Sequence, residues 1–319
     1  MVYKLDAGTV IDAEGNLVIE NLYAGSVTQK TQAQGTTSGY TSGGFPGPTA
    51  VNVIDKFPFS TDANATDVGD LTAARALVTG QSSSASGYTS GGSSTNTIDK
   101  FPFSSDANAT DVGDLTVARD DLTGGQSSTS NGYATGGMIT FTSQNIIEKF
   151  PFSADANATD VGDLTAGRHR TAGQSSTASG YTSGGLTMPG FTYQNVIDKF
   201  PFSSDANATD VGDLTQGRWE LTGQSSSASG YNSGGEAPPH VNTIDKFSFS
   251  SDANATDVGD LSVARDGSAG QSSTENGYSS GGSAAGPNVI DKFPFSSDAN
   301  ATDVGDLSQG RSFGAGQQV

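Results

Sequence analysis

Apolar and polar residues alternate along this chain in short runs broken by Gly, Ser, Asn and Asp, and the same order of runs returns six times. The pattern predicts β-strands joined by turns, because a helix would need apolar positions three and four apart sustained over about ten residues. Aligned on the Tyr of G-Y-x-x-G-G, the copies fall at Tyr40, Tyr88, Tyr133, Tyr181, Tyr231 and Tyr278, with spacings of 48, 45, 48, 50 and 47 residues. Four strands are predicted per unit: 76–83 running into G-Q-S-S, 87–92 as G-Y-T-S-G-G, 96–103 as N-T-I-D-K-F-P-F, and 111–115 as D-V-G-D-L. In the third of these, Val53, Asp55, Phe57 and Phe59 project to one side and Asn52, Ile54 and Lys56 to the other, so both faces carry apolar groups. A strand needs that when its sheet is sandwiched between neighbouring sheets, as in a propeller. Gly91 and Gly92 lack the Cβ that would keep an adjacent sheet away, and Tyr88 is placed to fill the gap between sheets.

The units lie near 34–75, 76–119, 120–168, 169–218, 219–265 and 266–311. After the last Arg, residues 312–317 repeat the start of a first strand, which is expected to complete the opening blade and close the ring; residues 27–34 are the rival for that place. The leader, residues 1–33, does not match the unit. Its β-like runs 9–13 and 17–22 flank Glu14-Gly15-Asn16, so a hairpin arm is expected, docked on its own ring, on a second copy, or on another protein as an attachment arm.

Composition narrows the chemistry. The chain has 319 residues, no Cys, 2 His and a formal net charge of −19. The missing Cys excludes disulfides, thiolate nucleophiles and zinc–thiolate sites. Each unit contributes about −2, so the acidity is spread around the molecule, and such a surface repels nucleic acid and anionic membranes. The first 22 residues lack a basic n-region followed by an apolar h-region, and no stretch approaches the roughly 20 apolar residues of a membrane span, so neither a signal peptide nor membrane insertion is expected.

The acidic loop D-A-N-A-T-D-V-G-D offers Asp62, Asn64, Asp67 and Asp70, with equivalents in every unit. Hard oxygens at a tight bend suit calcium, and the spacing is similar to the calcium loops of integrin-type propellers. The alternative is structural: Asp62 and Asn64 in Asx turns, Asp67 paired with a Lys56- or Arg75-type side chain, and Gly69 in a left-handed turn, in which case no cofactor is needed. The six Arg residues (Arg75, Arg119, Arg168, Arg218, Arg265, Arg311) are expected to form ion pairs between blades.

The copies differ in two stretches, one between Gly-Gly and Asn and one following the Arg. In an antiparallel four-stranded blade these emerge on the same face of the disc, opposite the constant turns. Phe141, His169, Arg170, Met188, Phe191, Tyr193, Trp219, Glu220 and His240 gather there on the third to fifth units, and together form the candidate binding surface.

The order of Arg75, Tyr88, Gly91, Gly92, Phe101, Phe103, Asp106, Leu115 and Arg119 resembles kelch repeats across residues 34–319, with Val112 and its equivalents where kelch blades carry Trp. The resemblance implies an all-β, six-bladed kelch-like β-propeller of four-stranded blades. Whole repeats combining DANATDVGDL, GQSSS and GYTSGG are also similar to those of marine tailed-phage fibre and appendage proteins. That similarity implies a non-enzymatic virion protein whose partners are other virion proteins, through the arm, and a host-surface glycan or protein, with homo-oligomers allowed. The competing classes are a calcium-binding adhesion propeller and a carbohydrate-active enzyme, for which acids outside the repeat, such as Glu220 and Glu236, are the candidates.

Overall fold

The structure, a computed structural model, describes residues 10–11, 17–18, 34–122, 124–283 and 287–319. Its ring part is built of six four-stranded antiparallel sheets, and no helix occurs among the described residues. Blade 2 shows the pattern: an inner strand Thr79–Ser82, a second strand Ser86–Ser90, a third Thr97–Pro102 and an outer Thr110–Asp114. Blades 3 to 6 repeat it over 124–163, 172–213, 222–260 and 269–306. Blade 1 is assembled from both parts of the chain: Ala315–Gln318 takes the inner place beside Ser38–Ser42, Val53–Pro58 and Thr66–Asp70, with Tyr40 opposite Gln317. The six inner strands touch in a closed circle, so the molecule is a six-bladed β-propeller. In the leader, Val10–Ile11 pairs antiparallel with Leu17–Val18; the rest of the expected arm lies outside the described residues.

The apolar core sits between blades. Tyr88 packs on Phe150 and Phe152 of the next blade, with ring centroids 5.4 and 4.9 Å apart, and the same triad recurs at every junction as far as Tyr278 on Phe57 and Phe59. Each such aromatic pair adds about 0.5–1.5 kcal/mol beyond the area it buries. The Gly of G-Y makes room for this: Gly87 lies opposite Phe101 in the ladder, and a Cβ there would run into the ring. Gly91 and Gly92 take positive φ values of 61° and 78°, and a side chain on either would strike Leu122 of the next blade or the Ala76 carbonyl.

Three concentric sets of contacts join the blades. Nearest the axis, a Cβ on Gly80, Gly125, Gly173, Gly223, Gly270 or Gly316 would meet the carbonyl of the preceding member, so these six glycines form the waist of the channel. Around them, each inner-strand Gln donates to the Tyr carbonyl of the next blade, as Gln81 does to Tyr133 at 2.9 Å and Gln317 to Tyr88 at 2.9 Å. Outermost, the Lys of one blade pairs with the acidic loop of the next, from Lys56–Asp106 at 3.0 Å round to Lys292–Asp62 at 2.5 Å.

The acidic loop is therefore a clasp between blades. Within one copy its polar groups go separate ways. Asp62 accepts from Lys292, Asn64 accepts from the Asp306 N–H at 3.1 Å, and Asp67 accepts from the Gly69 N–H at 3.2 Å. The Asp70 backbone N–H donates to Asn108 of the following blade at 3.1 Å. Asp62 and Asn64 thus reach across a junction instead of closing Asx turns on their own loop, and the Lys partner is the first acid of the next loop, not Asp67.

The six Arg residues are buried, and each pairs with the third-strand acid of the blade it leads into. Arg75 meets Asp99 at 3.1 Å, Arg119 meets Glu148 at 2.5 Å, and Arg311 meets Asp55 at 3.1 Å. The same acids also take the N–H and hydroxyl of the Thr or Ser that starts the crossover, as Asp99 does from Thr72 at 2.9 and 2.7 Å. Each pair thereby pins the segment passing from one blade to the next. Burial pulls the Arg pKa values below their ordinary range, and the facing carboxylates oppose that shift.

Candidate binding face

The two variable stretches emerge together. Backbone bridges join Asp120 to Met138, His169 to Leu186, Trp219 to Glu236 and Phe45 to Ser312, each pairing a residue just after an Arg with one just after a Gly-Gly. The second residue after each Arg turns inward over the channel in a left-handed conformation, with φ between 54° and 61° at Leu77, Asp121, Arg170, Glu220, Gly267 and Phe313. These residues are linked by backbone hydrogen bonds into a collar, including Arg170 N–H to Asp121, Glu220 to Arg170, Gly267 to Glu220, and Phe313 to Gly267.

Arg170 organises one side of this collar. Its guanidinium pairs with Asp121 at 3.0 Å and with Glu220, and lies 4.7 Å from the Trp219 ring and 5.5 Å from the Phe313 ring. Below the collar the channel narrows to a cavity of about 60 Å³ lined by Glu220, Gly267, Phe313 and the glycine waist.

The exposed aromatic side chains of this face stand above the collar. Blades 3 and 4 each raise a small hairpin there, Met138–Ile139 with Thr142–Ser143 and Leu186–Thr187 with Thr192–Tyr193. Phe141 and Phe191 stand at the tips, 75% and 70% exposed, and Tyr193, 40% exposed, faces Trp219 at 6.4 Å between ring centroids. The hairpins are tied together at their feet. The Ser143 hydroxyl meets His169 Nδ1 at 2.9 Å and accepts from the Met188 N–H at 2.7 Å. His169 is buried, and desolvation pushes its pKa down to about 4, so it is neutral at pH 7 and acts as a brace.

The nine residues singled out from the sequence share this face but divide in kind. Phe141, Phe191 and Tyr193 are exposed; Met188, Trp219, Arg170 and His240 are half-buried; His169 and Glu220 are buried and act through their neighbours. Two features were missed by sequence reasoning. One is the collar, whose signal was the fixed two-residue offset from each Arg. The other is a shallow groove of about 490 Å³ between the loops of blades 6 and 1, lined by Phe45, Pro46, Pro48, Pro287 and Phe313. Its signal was the proline content of FPGPTAV and SAAGP.

The fold and this face define a six-bladed propeller with one uniform and one diversified side. No family model matches the chain, and no curated protein does. Among solved structures it is similar to one described as "Structure of YjhT", with a TM-score of 0.64 and 14% sequence identity over 77% of this chain and 88% of that one. At that identity the likeness concerns the fold alone.

Proposed function

We propose that the protein is a non-enzymatic recognition module that binds a surface saccharide through its diversified face. The observation supporting this is the pair of braced hairpins that hold Phe141, Phe191 and Tyr193 out of a rigid ring beside Trp219 and Arg170. Large apolar side chains kept in water are costly unless a partner covers them, and aromatic faces next to fixed polar groups suit the apolar faces and hydroxyls of sugars. The similarity of the repeats to tailed-phage appendage proteins supports a place on a virion, with the leader as attachment arm and the ligand on a host cell.

The test is binding to an array of bacterial surface polysaccharides by wild type and by Phe141→Ala/Phe191→Ala. The double variant should lose binding while melting at the wild-type temperature. Equal binding by both overturns the assignment of the face. Release of reducing sugar during the incubation would instead make the protein a glycoside hydrolase.

A further inference from the structure

We propose that Glu236, His240 and Asp266 form a binding site for a first-row divalent cation of the zinc class, at the rim of the diversified face between blades 5 and 6. Glu236 and His240 face one another as an antiparallel bridge across the three-residue turn Ala237–Pro239, and Asp266 follows Arg265 at the start of the lead-in to blade 6. One donor atom from each residue lies within 4.8 Å of the other two. The cluster occurs once among the described residues. At other junctions the positions of Glu236 and Asp266 carry residues such as Met138 and His169, or Leu186 and Trp219.

A second observation sets this group apart from an ordinary acidic patch. Asp266 is 2% exposed, yet its Oδ1 has no hydrogen-bond partner among the described residues. Its Oδ2 faces His240 Nδ1 at 3.0 Å. Among the described residues no Lys or Arg forms an ion pair with Asp266 or Glu236. The nearby Arg170 is committed to Asp121 and Glu220. A buried carboxylate with a free oxygen calls for a counter-charge.

The donor set selects the ion. One imidazole and two carboxylates suit zinc and its first-row neighbours, whereas calcium takes six to eight oxygens. Ligand distances of about 2.0–2.2 Å put tetrahedral donors about 3.3–3.6 Å apart, so this cluster must close by about 1 Å. Asp266 is the fixed wall. The side chain of His240 is 39% exposed and Glu236 is half-buried, so both can swing inward by side-chain rotation. Three protein ligands leave an outward position for water or for a donor from a bound partner.

Calorimetric titration of the chelator-stripped full chain with zinc chloride should show one saturable site, and cobalt(II) should give the visible bands of a four-coordinate complex. His240→Ala and Glu236→Gln, both at partly exposed positions, should weaken zinc binding by at least about 100-fold, since second-shell changes alone cost about 10–100-fold. Asp62→Asn, in an acidic loop, should leave it unchanged. No saturable binding, wild-type affinity in both site variants, loss in Asp62→Asn, or displacement of zinc by equimolar calcium would each overturn the assignment.

Discussion

Gly173→Ala tests the closed waist of the ring. The backbone at Gly173 is ordinary extended strand, so the substitution changes space and not conformational freedom. A Cβ placed there would lie 2.7 Å from the Gly125 nitrogen, 2.8 Å from its carbonyl carbon and closer still to its oxygen. All three are backbone atoms of the neighbouring inner strand, so no side chain can rotate aside. The junction must open by several tenths of an ångström, and the closed circle passes that strain to the other junctions. Overpacking of this kind costs about 1–3 kcal/mol, reduced by the roughly 0.4–1 kcal/mol that Ala gains by restricting the unfolded chain. A net loss of about 1–2 kcal/mol lowers the melting temperature of a ring this size by about 2–3 °C. The control is Gly47→Ala, where a Cβ meets nothing within 4 Å. Scanning calorimetry of the two variants decides the matter: equal melting temperatures would mean that the inner strands do not touch as described.

Two further outcomes are expected. Asp245→Ala removes a fully buried acid that holds Arg218 at 3.1 Å and the Thr215 N–H and hydroxyl at 3.0 and 2.7 Å, so it should cost about 3–5 kcal/mol in denaturant unfolding, and adding Arg218→Met should recover part of that. A cost for Asp245→Ala of under about 1 kcal/mol would show that the pair does not pin the crossover. For pH, folded His169 takes its proton only near about 4, while the unfolded chain takes it near the usual 6.5. Its contribution is therefore complete above pH 6.5 and lost as pH falls towards 4, amounting to about 3 kcal/mol at about 1.4 kcal/mol per unit. Wild type should accordingly lose more stability than His169→Gln between pH 7 and pH 4.5, and parallel losses would refute the assignment.

The architecture was legible because the chain states it six times. The placing of Tyr88 between sheets, the close approach at Gly91 and Gly92, and the apolar groups on both faces of the third strand all follow from side-chain size and strand alternation. The polar partners were harder to read. Strand alternation put Asp55 beside Phe57 without showing that it faces Arg311, because that partner is remote in the chain and meets it only when the crossover folds back over its own blade. The same applies to the acidic loop, whose spacing does not show that Lys292 and the Asp306 N–H of the neighbouring blade meet Asp62 and Asn64. On the diversified face, residue type identified the exposed aromatics. It could not show that His169 and Glu220 are withdrawn, since their burial depends on which way a two-residue lead-in turns.

Blade 1 takes its inner strand from residues 315–318, while its other three come from residues 38–70. During synthesis, those three strands wait with a bare hydrogen-bonding edge until the strands of every other blade have been made. For that interval the nascent polypeptide offers a template on which a second copy could dock its own tail, giving swapped pairs. The yield of single rings should therefore rise when translation is sparse enough that tails find their own chain first.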